Sequence, residues 1–276
     1  MRLRTSSAVR TGRGEPVLLL HGFLLSHHNW SRVIPLLSDD HDVLAVTMPG
    51  HWGGPEVDGP MTVEALADGI EKILDEAGWD TCHIVGNSLG GWVALELNRR
   101  GRARSVTAIA PAGAWTRWAY PQLLVGLKFL AMGPALGLGW LLTDVPARIP
   151  LIRNVALRII SKHVGQVDTE DARNFIRSTT HTPGYVSFVW NEIKTGKGLQ
   201  DIDKLPTPVH LVLCENDHIL PVKHYSQRYV ELLPLADQPI TLPDIGHVPM
   251  LEDPKLVADI IRRVVRSETA ALPKAQ

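Results

Sequence analysis

Short apolar runs alternate along this chain with segments whose apolar positions recur every three or four residues. Residues 17–20, 43–46, 83–85, 105–110, 209–213 and 239–242 are short, largely apolar and bounded by turn formers. Such runs predict strands buried on both faces. Between them, residues 30–37 read as a short helix and 49–55 as a loop rich in Pro and Gly. Thr62 is placed to cap a helix carrying Leu66, Ile70, Ile73 and Leu74 at helical spacing, and Gly78 ends it. Residues 92–97 and 255–261 have the same helical character. This alternation predicts an α/β class: a mainly parallel sheet with helices on both faces. It stops after Pro111-Ala112-Gly113. Residues 114–205 look helical and are rich in Trp, Pro and Gly, and a strand pattern resumes at Pro208. Residues 268–276 are expected to fray.

The predicted strand at 83–85 runs into Gly86-Asn87-Ser88-Leu89-Gly90 and then into the helix at 92–97. A G-x-S-x-G between strand and helix puts the serine on a sharp bend and lifts its hydroxyl clear of the sheet. The glycines leave room beside it, and the helix N-terminus brings partial positive charge toward it. Three more pieces agree with this reading. His21-Gly22-Phe23 follows the first strand, Asp217 follows the strand at 209–213, and Asp244-Ile245-Gly246-His247 follows the last strand. The order serine, acid, histidine is that of the α/β-hydrolases.

On these residues the chain resembles the serine-nucleophile branch of the α/β-hydrolase superfamily, including carboxylesterases and meta-cleavage-product hydrolases. The resemblance runs from about Val17 to the last helix, more weakly in the middle. It implies the α/β-hydrolase fold, with 1–113 and 206–276 as core and 114–205 as an inserted helical cap. It implies Ser88 as nucleophile, His247 as general base and Asp217 as the acid that orients it. Glu215 competes with Asp217, but Ile219 and Pro221 follow Asp217 at the family's spacing. The alternative acid position, one strand earlier, reads Pro111-Ala112-Gly113-Ala114 and offers no carboxylate. The backbone N–H groups of Leu89 and Phe23 are the expected oxyanion hole, and His21 is expected to brace that loop. Haloalkane dehalogenases and soluble epoxide hydrolases carry aspartate where Ser88 stands, so the serine argues against both chemistries.

The expected pocket is apolar: Leu24 and Val248 beside the active loops, with Trp115, Trp140 and Trp190 from the cap. The cap's aromatic residues also include Trp118, Phe129, Tyr185 and Phe188, and most are expected to fasten cap to core. Trp52 fits either a pocket wall or a shifted surface turn. The loop around it reads Thr47-Met48-Pro49-Gly50-His51, where relatives commonly begin with aspartate.

Composition narrows the partners. The net charge is −1, which gives no reason to expect nucleic acid. Cys82 and Cys214 lie beside predicted core strands and read as buried thiols. The polar start, Met1 to Ser7, has no apolar stretch of the secretory kind, so a cytoplasmic location is expected. The most apolar stretch, 123–142, carries Lys128 and several Gly and Pro residues. It reads as broken cap helices rather than a membrane span, with contact at a membrane surface left open.

The expected function is a serine hydrolase that cleaves an ester or thioester of a largely apolar small molecule through an acyl-enzyme at Ser88. The protein-derived nucleophile needs no metal or organic cofactor. Three alternatives share these residues: carbon–carbon hydrolysis of the meta-cleavage type, lactone hydrolysis, and ligand binding without catalysis. The meta-cleavage relatives usually carry a glycine-rich oxyanion loop, and this loop reads His-Gly-Phe-Leu.

Overall fold

The computed structural model describes residues 7–116, 119–142 and 144–271. Its centre is a seven-stranded sheet. In chain order the strands are β1 (Ala8–Gly12), β2 (Glu15–Leu20), β3 (His41–Val46), β4 (Cys82–Asn87), β5 (Ala103–Ile109), β6 (Val209–Cys214) and β7 (Ile240–Leu242). They lie in the order β1-β3-β2-β4-β5-β6-β7. Only β1 runs antiparallel, pairing Ala8 with Val46 on β3, and every other pair is parallel. Strand β1 was not expected. Its sequence, Ala-Val-Arg-Thr-Gly, mixes apolar and polar residues and lies partly exposed at the edge, so no apolar run marks it.

The strand cores explain why the runs are continuous. On β2, Leu18 and Leu20 face one core, with Leu66 and Ile70. Val17 and Leu19 face the other, with Trp30 and Leu37. Successive side chains point to opposite faces, and helices cover both, so most positions are apolar and buried polar ones pair, as His83 Nδ1 does with Ser105 Oγ at 2.8 Å.

The first helices are α1 (Ile34–Leu37), α2 (Val63–Ala77) and α3 (Leu89–Arg99). The single helix expected at 30–37 is two short pieces, a 3₁₀ turn at His27–Trp30 and then α1 with Pro35 in its first turn. Proline lacks an N–H, so a helix starts at it more readily than it runs through it. For α2, Thr62 Oγ1 accepts from the Ala65 N–H at 3.1 Å, and Gly78 closes the helix at φ 76°.

Between β5 and β6 lie α4 (Tyr120–Leu141), α5 (Val145–Arg148), α6 (Pro150–Leu157), α7 (Thr169–Thr180) and α8 (Tyr185–Thr195). The stretch expected to be broken is one continuous 22-residue helix, α4, with Pro134 inside it. By length and composition this helix is long enough to cross a membrane. Trp118 and the start Met1 to Ser6 lie outside the described residues. After β6 come α9 (Val222–Tyr225), α10 (Gln227–Leu232), α11 (Pro249–Glu252) and α12 (Pro254–Ala271). Helix α12 continues through Glu268–Ala271, which had been expected to fray; there Glu268 holds the buried His210 ring at 2.9 Å.

Candidate active site

Ser88 stands at the junction of β4 and α3 with φ 55° and ψ −117°, a conformation that is costly for any residue with a side chain. Surrounding bonds hold it there. Its N–H donates to Ile109 O at 2.9 Å, and its carbonyl accepts from Trp92 N at 3.1 Å and Ala112 N at 3.0 Å. The tight bend is open to glycine alone on either side. A Cβ on Gly86 would stand 2.1 Å from Gly90 O, and one on Gly90 would stand 2.5 Å from the carbonyl oxygens of Leu20 and His21.

Leu89 and Phe23 border the same cavity as this serine. Leu89 opens α3, where first-turn amides have no partner within the helix. Phe23 follows Gly22 in a turn closed by Leu25 N–H to Gly22 O at 3.2 Å. The third residue of that turn, Leu24, takes φ 64°. A positive φ there is the geometry of a type II turn, adopted here without glycine. His21 holds the loop from below. Its Nε2 accepts from Met48 N–H at 2.9 Å, which leaves the proton on Nδ1 to donate to Gly22 O at 2.8 Å. Burial, reinforced by neighbouring His51, pushes its pKa well below the ordinary range, so the ring stays neutral. The bracing role expected of His21 is the one it has.

Asp217 and His247 form a buried pair. His247 Nδ1 and Asp217 Oδ2 are 2.5 Å apart. The other carboxylate oxygen, Oδ1, accepts from Ile219 N–H at 2.8 Å and Leu220 N–H at 2.7 Å. Asp217 is thereby fixed, and its second oxygen is free to orient the imidazole. Glu215, the competing carboxylate, instead accepts from Asp244 N–H at 2.9 Å and ties the ends of β6 and β7. Ser88 and His247 border one cavity, and no hydrogen bond joins their side chains among the described residues. Such bonds often tighten only around a substrate.

Two residues that sequence reasoning passed over position the histidine loop. The Asn87 amide donates to His247 O at 3.0 Å and Ile109 O at 3.3 Å, linking the serine bend to the histidine. Buried Glu252 accepts from Gly246 N–H at 2.9 Å, Lys162 N–H at 3.1 Å and His163 N–H at 3.0 Å. Asn87 lies inside the Gly86-Asn87-Ser88 bend, and Glu252 ends the short helix α11 that follows His247. Their proximity to the site in sequence was the available signal.

Two cavities meet at Ser88, and Phe23 and Phe129 border both. The first, about 230 Å³, runs beneath α4 and α8 to Trp92, Trp115 and Glu192. The second, about 340 Å³, runs beneath α4, α6 and α7 and includes His247. Both are walled almost wholly by apolar side chains. Polar side chains besides Ser88 and His247 are few: Thr179 and Thr180 in the second cavity, and Gln122 and Glu192 in the first. Glu192 Oε2 is buried without a hydrogen-bond partner among the described residues, and its pKa is raised to about 7, chiefly by burial and then by Glu64. Lys128 donates to the carbonyls of His218 and Ile219 at 3.0 and 3.1 Å, pinning α4 to the loop that carries Asp217.

Of the expected pocket residues, Leu24, Trp115 and Val248 line these cavities. Trp52, Trp140 and Trp190 do not. Trp52 packs against the His28 ring, 5.9 Å away. Trp140 and Trp190 stand on the outer surface at 59% and 67% exposure. Helical phase separates Trp190 from Phe188, which packs on Phe23 at 4.6 Å, whereas Trp140 stands in the last turn of α4, well past Phe129, which packs on Phe23 at 5.1 Å.

The model of the alpha/beta hydrolase family matches residues 17–260. The chain belongs to that family and is a hydrolase of the α/β type. It is 42% identical over 201 residues to the epoxide hydrolase EphH of Mycobacterium tuberculosis, covering 73% of this chain and 94% of that one. In fold it is similar to a thermophilic esterase from Thermogutta terrifontis, with a TM-score of 0.75, 21% identity, and 95% and 93% of the two chains covered. It is also similar to a meta-cleavage product hydrolase from Pseudomonas fluorescens IP01, with a TM-score of 0.67, 23% identity, and 96% and 94% covered.

Proposed function

We propose that this protein is a serine hydrolase that cleaves an ester or thioester whose two sides are both apolar. The observation that carries the reading is the meeting of two apolar cavities at Ser88, with the Asp217–His247 pair on the border of the second. Ser88 Oγ attacks the carbonyl carbon while His247 Nε2 takes its proton. The carbonyl oxygen gains negative charge and is held by the Phe23 and Leu89 N–H groups. The tetrahedral species collapses, the bond to the leaving oxygen or sulfur breaks, and His247 returns the proton to it. Water then attacks the Ser88 ester, gives a proton to His247 and releases the acid. Asp217 keeps Nδ1 protonated throughout, so Nε2 is the basic nitrogen.

One observation favours a second reading, epoxide hydrolysis: the name of the relative at 42% identity. Chemistry weighs against a covalent route to it. Attack of Ser88 Oγ on an epoxide carbon opens the ring and leaves an alkyl ether on the enzyme. An ether has no carbonyl for water to attack, so the enzyme stops after one event. Turnover would require water, activated by His247, to open the ring directly.

The test is hydrolysis of p-nitrophenyl esters from acetyl to palmitoyl, with an alkyl epoxide in parallel and Ser88→Ala as control. The expected result is an ester rate with a chain-length optimum that falls on the order of 10⁴-fold or more in Ser88→Ala. Diol formation that survives Ser88→Ala, with no ester rate in either protein, would replace this reading with the second.

A further inference from the structure

Helix α4 is apolar on every side, yet few of its residues are buried. Its inner stripe, including Val125, Phe129, Met132 and Leu136, borders the two cavities. Its outer stripe, including Tyr120, Leu127, Leu138 and Leu141, is 57–70% exposed, with Leu127 and Leu138 also at the rims of the cavities. A helix that is hydrophobic all round belongs in a protein core or against lipid. Helix α6 borders the second cavity beside α4 through Ile152 and Ala156, and it too turns apolar side chains outward, with Leu151 at 73% and Val155 at 58% exposure. Contiguous exposure of this kind marks an interaction surface.

Charge says what the surface meets. Residues 120–162 carry five basic residues and one acid, whereas the rest of the chain carries 23 basic and 28 acidic. The acid, Asp144, is bound by Arg177 at 2.6 Å and Arg148 at 3.1 Å. Arg153 and Arg158 make no ion pair among the described residues and flank the apolar side chains of α6. An apolar face edged with arginines outside any ion pair among the described residues, with Tyr120 exposed upon it, complements a negatively charged lipid surface.

We infer that the outer face of α4 and α6 docks on an anionic phospholipid bilayer, with α4 lying in the plane of the interface. The helix then separates the acyl-chain region from the cavities by one side-chain layer, and apolar substrates reach Ser88 from the lipid. That delivery step rests on the hydrolase reading above. The docking itself does not.

The experiment is flotation of the full-length protein with vesicles of phosphatidylcholine alone or mixed with phosphatidylglycerol. Hydrolysis of soluble p-nitrophenyl butyrate is measured separately on the same samples. The wild type is expected to float with the mixed vesicles and to be partly released by high salt. A variant with Leu141→Glu, Leu151→Glu and Val155→Glu is expected to stay behind, with its thermal melt and butyrate rate unchanged. Arg153→Glu with Arg158→Glu is expected to weaken partitioning about tenfold or more. Loss of the butyrate rate in the wild type would remove the hydrolase reading and leave the docking result standing. Failure to float with either vesicle, or equal flotation of the glutamate variant, would overturn the docking. So would a lipid-free dimer in light scattering that the glutamate variant converts to monomer, because a second copy would then cover the face.

Discussion

Glu192 puts a titratable carboxyl in a largely apolar cavity, and burial raises its pKa to about 7. Below that pH the group is neutral and compatible with an apolar chain. Above it a charge develops beside the substrate, and binding should weaken. KM for a long-chain ester is therefore expected to rise as pH increases through about 7, and Glu192→Gln to flatten that rise. A KM independent of pH in the wild type would show that the carboxyl does not meet the substrate. Glu252 works at the opposite end of the site. Its carboxylate accepts three backbone N–H groups that hold Gly246, beside His247, against Lys162 and His163. Glu252→Ala would leave those donors buried and unpaired, at a cost of about 3 kcal/mol or more, read as a lower denaturant midpoint. It should also lower kcat more than it changes KM, because the histidine loses its anchor rather than the substrate its pocket. At this scale Ser88, Asp217 and His247 were legible because each lies in a short motif beside a strand end. Glu192 was not: a lone glutamate in a helical segment gives no sign of which side of the helix it occupies.

The bend between β4 and α3 is the element on which the site depends. Gly90 passes so close to β2 that an added methyl would stand 2.5 Å from two carbonyl oxygens. Backbone cannot yield there as a flexible side chain would. Gly90→Ala is thus expected to push α3 away from β2, separating the Leu89 and Phe23 N–H groups. An ester rate down about 100-fold or more is expected, the scale of losing one oxyanion donor. A near-normal rate would mean that the two N–H groups do not act together. The strands were readable because burial on both faces favours largely apolar runs. Helix α4 was readable as apolar but not as continuous, since Gly133, Pro134, Gly137 and Gly139 suggest interruption. Proline inside a helix costs one hydrogen bond and can be tolerated where packing supports the turn. Trp190 was misplaced for a related reason. An aromatic residue in an apolar helix fits the core or the surface equally well until the helix is rotated into place.

The molecule as a whole buries several histidines that must stay neutral. His27, His51 and His83 each have a pKa pushed down to about 4, with burial as the main cause. In the unfolded chain these rings take protons near the ordinary value of about 6.5. Between these limits the unfolded state binds more protons, so stability is fully present above about pH 6.5 and drains away as pH falls toward 4. Thermal melts should show a lower Tm at pH 5 than at pH 7.5, and a flat profile would mean the rings are solvated. The overall architecture was the most legible level, because alternation of strand and helix with the order serine, acid, histidine leaves few folds to choose from. The bond cleaved was the least legible. It depends on cavity shape, which side chains far apart in sequence build together, and the name of the 42% identical relative points to a different bond from the one the serine favours.

The central claim is that Ser88 carries the acyl group during turnover. The most direct measurement mixes the protein with p-nitrophenyl octanoate, quenches in acid within the first turnover, and weighs the intact protein before mapping its peptides. The account predicts a mass increase of one octanoyl group, located on the peptide containing Ser88 and missing in Ser88→Ala. Turnover of the ester with no acyl adduct on that peptide, or with an adduct elsewhere that persists in Ser88→Ala, would contradict it.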